Sequence, residues 1–331
     1  MSAGRSSVLE PPQSGDGPLF AAFFEQVRTQ PVYVILGVQG SGTNLLSRIL
    51  TKGFRFSVIQ DGSVTFKAAA ALGATPSPRE VRRQYDLIRS RLLPSAFVRK
   101  TRRLVKSKAS FEGIDDCFDP ASIRSGADLA RFVYAYAAFA LGTRLMAIKS
   151  DDLWEDIDRI DEVLPERRII LLTRDFRDDL LSVSKKDFGP IEPLVAAEYV
   201  KERFAHYERE YLRTPSGHRY HVRYEDLLES PVAFMHALSA YFGLQPSPGG
   251  ETAVQGQKIK RGNVKKWMAL EPEQLAHVEA MLDGELRRYG YEPTCDHPPL
   301  PDGATLMKAR VRDAIKRVPQ KAERLVKRLR S

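Results

Sequence analysis

The sequence predicts an α/β fold, a single domain in which helices cover both faces of a parallel central sheet. Short apolar runs alternate along the chain with stretches of helical spacing, which is the pattern of parallel sheets. The first run, residues 32–38, leads into a glycine-rich turn and then into a helix. A chain of 331 residues, 43% of them hydrophobic, can bury the core that such a fold needs. These observations predict a three-layer sandwich of the kind found in P-loop NTPases.

Five runs are predicted as strands, and helical spacing separates most of them. The predicted strands cover residues 32–38, 54–59, 145–148, 168–173 and 220–224. The predicted helices cover residues 44–50, 179–184, 195–212 and 231–242. Residues 66–142 are predicted as a mostly helical insertion, broken where Gly and Pro cluster near residues 73–78. Ligands of such folds bind beyond the carboxyl ends of the strands.

Two terminal segments are predicted outside the domain, which is expected to span residues 30–295. Residues 1–20, rich in Ser, Gly and Pro, are expected to be a flexible leader. Residues 296–331 form a basic tail. Within it, residues 305–331 contain ten Lys or Arg against two acidic residues, which accounts for +8 of the formal charge of +9. Apolar residues recur in this tail at steps of three and four, which predicts an amphipathic helix interrupted or kinked at Pro319. Such a helix can bind an anionic membrane surface, pack on its own domain, or stay disordered.

Several classes of protein are disfavoured by what the sequence lacks. Residues 1–19 have no apolar core of a secretory signal, and no apolar run approaches the roughly 18 residues of a membrane span. The two cysteines, Cys117 and Cys295, have no metal-type spacing. The expected location is the cytoplasm, including the inner face of the membrane if the tail binds there. Nucleic acid is not an expected partner, because the basic excess is confined to the tail.

The turn after the first strand, residues 37–44, reads GVQGSGTN. Gly37 and Gly42 stand at the outer glycines of a triphosphate-binding loop, but Thr43 replaces its lysine and Asn44 replaces its magnesium-binding Ser or Thr. Backbone N–H groups, two hydroxyls and a helix dipole still converge there. The turn therefore predicts a cradle for a phosphate or sulfate that needs no metal.

Two further basic motifs lie at the same edge of the predicted sheet. Arg174 ends the fourth strand and Ser182 follows two helical turns later, so that both can reach one anionic group. Residues 260–267, KRGNVKKW, form a basic loop that can close over the same ligand. Three anion-binding elements in one fold indicate a ligand with two separate phosphate ends.

The ordered set of GSGTN, RDFRDDLLS, RYEDLLESP and KRGNVKKW resembles the sulfotransferases that use 3′-phosphoadenosine-5′-phosphosulfate, over roughly residues 31–293. The resemblance implies metal-independent, in-line transfer of a sulfuryl group from that co-substrate to an acceptor hydroxyl, with adenosine 3′,5′-bisphosphate as product. It implies a 5′-phosphosulfate site in the loop, a 3′-phosphate site at Arg174 and Ser182, and Tyr224 near the adenine or the 3′-phosphate. The implied donor-binding residues are Gln39, Gly40, Ser41, Gly42, Thr43, Asn44, Arg174, Ser182, Tyr224, Lys260, Arg261 and Gly262.

The sequence departs from the family pattern at Gly40, where many members carry a Lys or Arg that stabilises the leaving phosphate. Lys149, at the end of the third strand, is the expected substitute, ahead of Arg48 on the following helix. A general base must take the acceptor proton. Asp61, after the second strand, is the first candidate, and Asp151 or Asp152 is the alternative.

The acceptor is predicted to be a carbohydrate or a glycolipid, with a small apolar alcohol or phenol as the alternative. The insertion and the loop at residues 185–193 are expected to shape its site. Their aromatic residues are expected either to stack on a sugar or to be core: Phe66, Tyr85, Phe97, Phe111, Phe118, Tyr134, Tyr136 and Phe188. Two other functions remain open, a kinase or NTPase with a degenerate loop and a non-catalytic protein that binds anions or membranes.

Overall fold

The computed structural model describes residues 17–60, 63–73, 75–92, 113–186, 188–257 and 264–329, with the side chains of these ranges except those of residues 63, 91–92 and 319–329. Its centre is a five-stranded sheet in the order β2-β3-β1-β4-β5, and all paired strands are parallel. The strands are β1 Val32–Leu36, β2 Ser57–Gln60, β3 Met146–Lys149, β4 Arg167–Thr173 and β5 Arg219–Arg223. The predicted parallel sheet is confirmed, with small shifts of the strand ends.

Helices fill the connections between the strands. In chain order they are α1 Gly17–Val27, α2 Thr43–Phe54, α3 Ser63–Ala70, α4 Pro78–Leu92, α5 Gly126–Ala140, α6 Ile160–Val163, α7 Phe176–Val183, α8 Pro193–Arg213, α9 Tyr224–Glu229, α10 Pro231–Phe242, α11 Gly250–Gln255, α12 Pro272–Arg288 and α13 Gly303–Leu329. Among the helices within these ranges, none combines the length and apolarity that a membrane crossing requires.

Strand β1 shows why the fold has three layers. Its side chains alternate between two separate apolar cores: Val32, Val34 and Leu36 join one core, and Tyr33 and Ile35 join the other. Because successive side chains of a strand point to opposite faces, both faces of the sheet are covered. Strand β1 also lies between β3 and β4, so the turn that follows it opens at the point where the strand order reverses.

The segment predicted as an insertion is helical in its described parts, and helix α5 is a layer of the core. Twelve of the fifteen residues of α5 are buried, and the helix contacts α1, α3, β2 and β3. The predicted aromatic residues Phe66, Tyr85, Phe118, Tyr134 and Tyr136 are all buried. All five belong to one hydrophobic core, in which Tyr85 stacks on Phe118 and Tyr136 contacts Phe20 of α1. They therefore have no free face for a sugar. Phe97 and Phe111 lie outside the described residues.

Both terminal segments differ from the prediction. Residues 17–20, placed in the leader by the sequence, begin helix α1, and Phe20 is buried. Residues 1–16 lie outside the described residues. The sequence predicted a helix interrupted or kinked at Pro319. Helix α13 continues past Pro319 to Leu329 without interruption, and the kink stays a prediction. Proline removes one backbone donor, and the carbonyl that this donor would have bonded belongs to Ile315, which is exposed and can bond water.

Candidate active site

The glycine loop, residues 37–44, lies at the carboxyl end of β1 and is held tightly by its neighbours. Gly40 and Gly42 both have φ of 105°, a conformation that glycine adopts without strain. A Cβ on Gly42 would lie 2.3 Å from Cδ2 of Tyr224. The ring of Tyr224 therefore closes one side of the loop, and the guanidinium of Arg174 lies 4.8 Å from the centroid of that ring.

Gly40, where the resemblance leads us to expect a Lys or Arg, has no space for a side chain. A Cβ at this position would lie 2.7 Å from the Cβ of Ser182, closer than non-bonded carbon atoms approach. The backbone of the loop thus contacts helix α7 directly. A cationic side chain at this position would therefore require the loop or the helix to move.

One hydroxyl of the loop, that of Ser41, is fully buried. Its Oγ has no hydrogen-bond partner in the part of the chain that the structure describes. An unpaired buried hydroxyl is unfavourable unless a ligand or water satisfies it. Together with the three glycines of the loop and the N-terminus of α2, this oxygen fits an anionic oxygen group.

Lys149 and Asp151, both predicted from the sequence, lie beside the loop. Lys149 is 4% exposed; its Nζ donates to Oδ1 of Asn44 at 2.9 Å and lies 3.4 Å from Oδ1 of Asp151. The other carboxylate oxygen of Asp151 accepts a hydrogen bond from Nε2 of Gln60. The structure therefore brings a buried ammonium, a carboxylate and the loop into one cluster.

Gln39 extends this cluster toward helix α8. Its Nε2 donates to the backbone oxygen of Asp151 at 3.3 Å, and its Oε1 accepts from the hydroxyl of Tyr199. Asp152 has a raised pKa because of burial and of the charges of Glu155 and Asp151. Asp61 lies outside the described residues.

Arg174, Ser182 and Lys266 form a second cluster on the other side of Gly40, named here the Ser182 cluster. Nη1 of Arg174 donates to Oγ of Ser182 at 3.2 Å and to the backbone oxygen of Gly40 at 2.9 Å. Nζ of Lys266 donates to the same Oγ at 2.8 Å. Two cations thus converge on one hydroxyl. Burial and then the charge of Arg174 lower the pKa of Lys266, which is the situation that a bound anion relieves.

A buried carboxylate holds the basic loop at this position. Asp178 is 0% exposed and accepts hydrogen bonds from the backbone N–H groups of Lys265, Lys266 and Trp267 at 2.8, 2.7 and 3.3 Å. The turn it fixes contains Lys265 with φ of 57°, a left-handed conformation unusual for lysine. Asp178 therefore determines where the side chain of Lys266 lies.

Two other charged residues at the start of α7, Asp175 and Arg177, stabilise the fold around the site. Asp175 caps the helix by accepting from the N–H of Arg177, and the guanidinium of Arg177 pairs with Asp175 and Glu279. The same guanidinium stacks 4.0 Å from the ring centroid of Trp267. These contacts join α7 to α12 and to the basic loop, so the motif positions the site as well as forming it.

Sequence reasoning missed Lys266 and Asp178. Lys266 was visible only as one of four basic residues in KRGNVKKW, and Asp178 as one of three acidic residues in RDFRDD. Lys260, Arg261 and Gly262, which were predicted, lie outside the described residues. Among the described side chains, no group of His, Cys, Asp and Glu is placed to hold a metal ion.

Two solved structures illustrate the similarity of this chain to known proteins. The sulfotransferase domain of the olefin synthase of Synechococcus PCC 7002 is 16% identical to this chain, with a TM-score of 0.51 over 80% of this chain and 95% of that domain. The sulfotransferase domain of the curacin biosynthetic pathway is 15% identical, with a TM-score of 0.51 over 82% and 99% of the two chains. These similarities establish the fold. No curated protein matches the chain.

The sequence itself matches the model of the sulfotransferase family over residues 31–248. This match includes the glycine loop, Lys149, Arg174, Ser182 and Tyr224, and it covers more than half of the chain. The chain belongs to the sulfotransferase family.

Proposed function

We propose that this protein transfers a sulfuryl group from 3′-phosphoadenosine-5′-phosphosulfate to a hydroxyl of a carbohydrate or glycolipid. The observation that carries the proposal is the convergence of Arg174 and Lys266 on Ser182, directly beside the glycine loop. The family implies this co-substrate, and two adjoining anion sites suit its two phosphate ends.

The glycine loop would hold the phosphosulfate end, with Ser41 and the N–H groups of residues 42–44 as donors and Gln39 at its edge. The Ser182 cluster would hold the 3′-phosphate, and Lys260, Arg261 and Gly262 would close over it as the resemblance implies. Tyr224, which contacts both Gly42 and Arg174, would separate the two ends. The co-substrate supplies the activated sulfuryl group, and no residue role in this proposal requires a metal.

Lys149 would stabilise the negative charge that develops on the leaving phosphate, because its ammonium is buried and contacts the loop at Asn44. Asp151 would accept the proton of the acceptor hydroxyl. In this reaction the acceptor oxygen forms a bond to sulfur, the bond from sulfur to the phosphate oxygen breaks, and the proton passes to the carboxylate. Asp61 and Asp152 are the alternative bases.

A sugar acceptor is supported by the polar side chains near Lys149. Gln39, Gln60, Asp151 and Asp152 place amide and carboxylate groups around the loop, and such groups bind hydroxyl-rich ligands. Phe188, 40% exposed, is the one aromatic of the predicted set that the described structure leaves accessible for stacking. The location in the cytoplasm stays a prediction.

Thermal unfolding tests the donor site against the alternative of a nucleotide kinase. Adenosine 3′,5′-bisphosphate at 100 times its dissociation constant should stabilise the protein by about 2.7 kcal/mol, and ATP with Mg²⁺ should have little effect. Stabilisation by ATP with Mg²⁺ alone would reject the proposal. Transfer of labelled sulfate from the full donor to a sugar, with EDTA present, then separates an enzyme from a binding protein.

Two serines, Ser182 in α7 and Ser184 directly after this helix, provide a matched pair for this assay. Ser182→Ala removes the hydroxyl on which both cations converge and should weaken binding of the bisphosphate about 10-fold. Ser184→Ala removes a hydroxyl that donates to the backbone oxygen of Leu180 and should leave binding unchanged. Equal effects of the two variants would show that Ser182 is structural.

A further inference from the structure

Helix α13 has two faces, one packed on the domain and one exposed. Ala309 and Asp313, four residues apart, are 1% and 5% exposed, and this face lies against α8. An exposed stripe on the opposite side is formed by Met307, Val311, Ile315 and Val318, with exposed fractions of 59, 50, 65 and 62%. Steps of four, four and three residues keep these four side chains on one face of a helix.

The packed face is anchored by specific polar contacts. The carboxylate of Asp313 accepts hydrogen bonds from the backbone N–H groups of Ile191 and Glu192, just before α8 begins. Nζ of Lys316 pairs with Glu192 at 2.6 Å. The guanidinium of Arg310 pairs with Glu198 at 2.7 Å. This helix is therefore docked on its own domain, which confirms one of the three outcomes that the sequence left open for residues 303–318.

Docking orients the exposed stripe away from the body of the protein. The stripe is bordered on one side by Lys308 and Arg312, both exposed. Residues 319–329 of the same helix contain four Lys or Arg and one Glu. An apolar stripe with cationic borders, presented outward by a helix that is fixed at its back, matches the interface of an anionic bilayer, where apolar side chains enter the headgroup region and cations meet lipid phosphates.

We infer that helix α13 is a docking surface for an anionic lipid bilayer. The side chains that enter this bilayer are Met307, Val311, Ile315 and Val318. The docked helix also contacts the loop predicted at the acceptor side, since Arg317 donates to the backbone oxygen of Phe188 at 3.1 Å. Bilayer docking thus places Phe188, 40% exposed, within about one helix diameter of the lipid surface, where a glycolipid acceptor would be presented. This last step rests on the proposed function, whereas the docking itself does not.

Sedimentation of the full chain with vesicles tests the docking. Binding is expected to vesicles that mix phosphatidylcholine with phosphatidylglycerol, with little binding to phosphatidylcholine alone. The variant Val311→Ser with Ile315→Ser should lose most of this binding, and its matched control is Leu19→Ser, an apolar residue 65% exposed on α1. Lys308→Gln and Arg312→Gln should each weaken binding about 5-fold, as expected for one cation near an anionic surface.

The stripe variant decides whether the stripe itself binds the bilayer. Equal binding of this variant and the control would overturn the inference. A concentration-dependent dimer that the stripe substitutions abolish, without binding to vesicles, would also overturn it and would assign the stripe to a second copy of this chain. Vesicle binding without any stabilisation by adenosine 3′,5′-bisphosphate would leave the docking standing and reject the proposed function.

Discussion

Gly40 of the phosphate-binding loop and Ser182 of helix α7 are in direct contact, because a Cβ on Gly40 would lie 2.7 Å from the Cβ of Ser182. The loop and the helix thereby approach as closely as two backbones with one side chain between them can. The Lys or Arg that the family resemblance leads us to expect at position 40 has no space here. Lys149, which reaches the loop from β3, is the cation in a position to replace it.

A side chain introduced at position 40 should destabilise the folded protein. Gly40→Ala is expected to lower the free energy of unfolding by about 2 to 4 kcal/mol, from the positive φ and the clash with Ser182. Gly40→Arg should also abolish stabilisation by adenosine 3′,5′-bisphosphate. Urea denaturation measures the first effect, with Gly73→Ala as control because a Cβ there meets no atom within 4 Å. A stable and more active Gly40→Arg would contradict the contact.

Lys266 should make binding of the bisphosphate depend on pH. Its pKa is lowered by burial and by Arg174, and only the protonated amine attracts a phosphate. Affinity should therefore fall as the pH rises through this lowered pKa. Lys266→Met should weaken binding about 10-fold at neutral pH and remove the alkaline fall, as measured by calorimetry.

The neighbouring lysine provides the control for this titration. Lys265 is exposed, and Asp178 holds its backbone N–H rather than its side chain. Lys265→Met should leave both the affinity and its dependence on pH unchanged. If both variants behave alike, the effect belongs to the general charge of the loop.

Lys149→Met should slow sulfuryl transfer by about 10²- to 10³-fold, the usual effect of removing one donor that stabilises developing charge. Binding of the bisphosphate should change much less, because Lys149 lies outside the Ser182 cluster. Single-turnover kinetics and thermal shift measure the two effects, with Lys186→Met, an exposed lysine after α7, as control. A folded variant with an unchanged rate would move this role to another cation, such as Arg48.

Asp151→Asn should lower the rate by about 10²- to 10⁴-fold if this carboxylate is the general base. The asparagine can still accept the hydrogen bond from Gln60, so the local structure should be kept. Asp61→Asn and Asp152→Asn are the comparisons. Whichever of the three variants alone loses most of the rate, while still binding adenosine 3′,5′-bisphosphate, identifies the base.

Asp179 should make stability depend on pH in the ligand-free protein. Burial raises its pKa well above the ordinary value, and one of its carboxyl oxygens has no partner among the described residues. The folded state therefore retains this proton more strongly than the unfolded state, so the stabilisation present below the unfolded pKa is lost as pH rises through the folded pKa. Asp179→Asn should remove that loss.

Urea denaturation over a range of pH measures this effect. The variant should be more stable than the natural protein at alkaline pH, and the difference should shrink toward about pH 4. Asp86→Asn, an exposed residue of α4, is the control and should show no such trend. A constant difference at every pH would mean that the pKa of Asp179 is the same in the folded and the unfolded state.

The strands could be predicted because their apolar runs are buried on both faces of a sheet, but helix ends could not. Helix α2 was expected to end at residue 50, before Gly53. It continues to Phe54. A Cβ at Gly53 would lie 2.6 Å from Cε of Met235. This glycine permits packing against α10. Helix α7 was predicted to begin at Asp179 and begins at Phe176, because the charges before it are buried in ion pairs.

The predicted residues of the site are placed by local geometry, whereas the missed ones are placed by contacts that are distant in sequence. Ser41, Arg174 and Ser182 stand at fixed distances from strand ends, so local geometry is enough to place them. The side chain of Lys266 contacts Ser182 of helix α7, 84 residues earlier in the chain. No local pattern distinguishes Lys266 from Lys265. Both lysines donate their backbone N–H to Asp178, but only the side chain of Lys266 reaches Ser182, and that of Lys265 is exposed.

The three hydrogen bonds from residues 265–267 to Asp178 connect parts of the chain that are 87 to 89 residues apart. During synthesis, the glycine loop and helix α7 emerge long before this turn. A nascent chain that ends before residue 264 therefore contains the loop, Arg174 and Ser182 but lacks the second cation and the segment that carries it. The proposed site for the 3′-phosphate would then be completed late in translation, together with the C-terminal helices α12 and α13, which pack on helix α8.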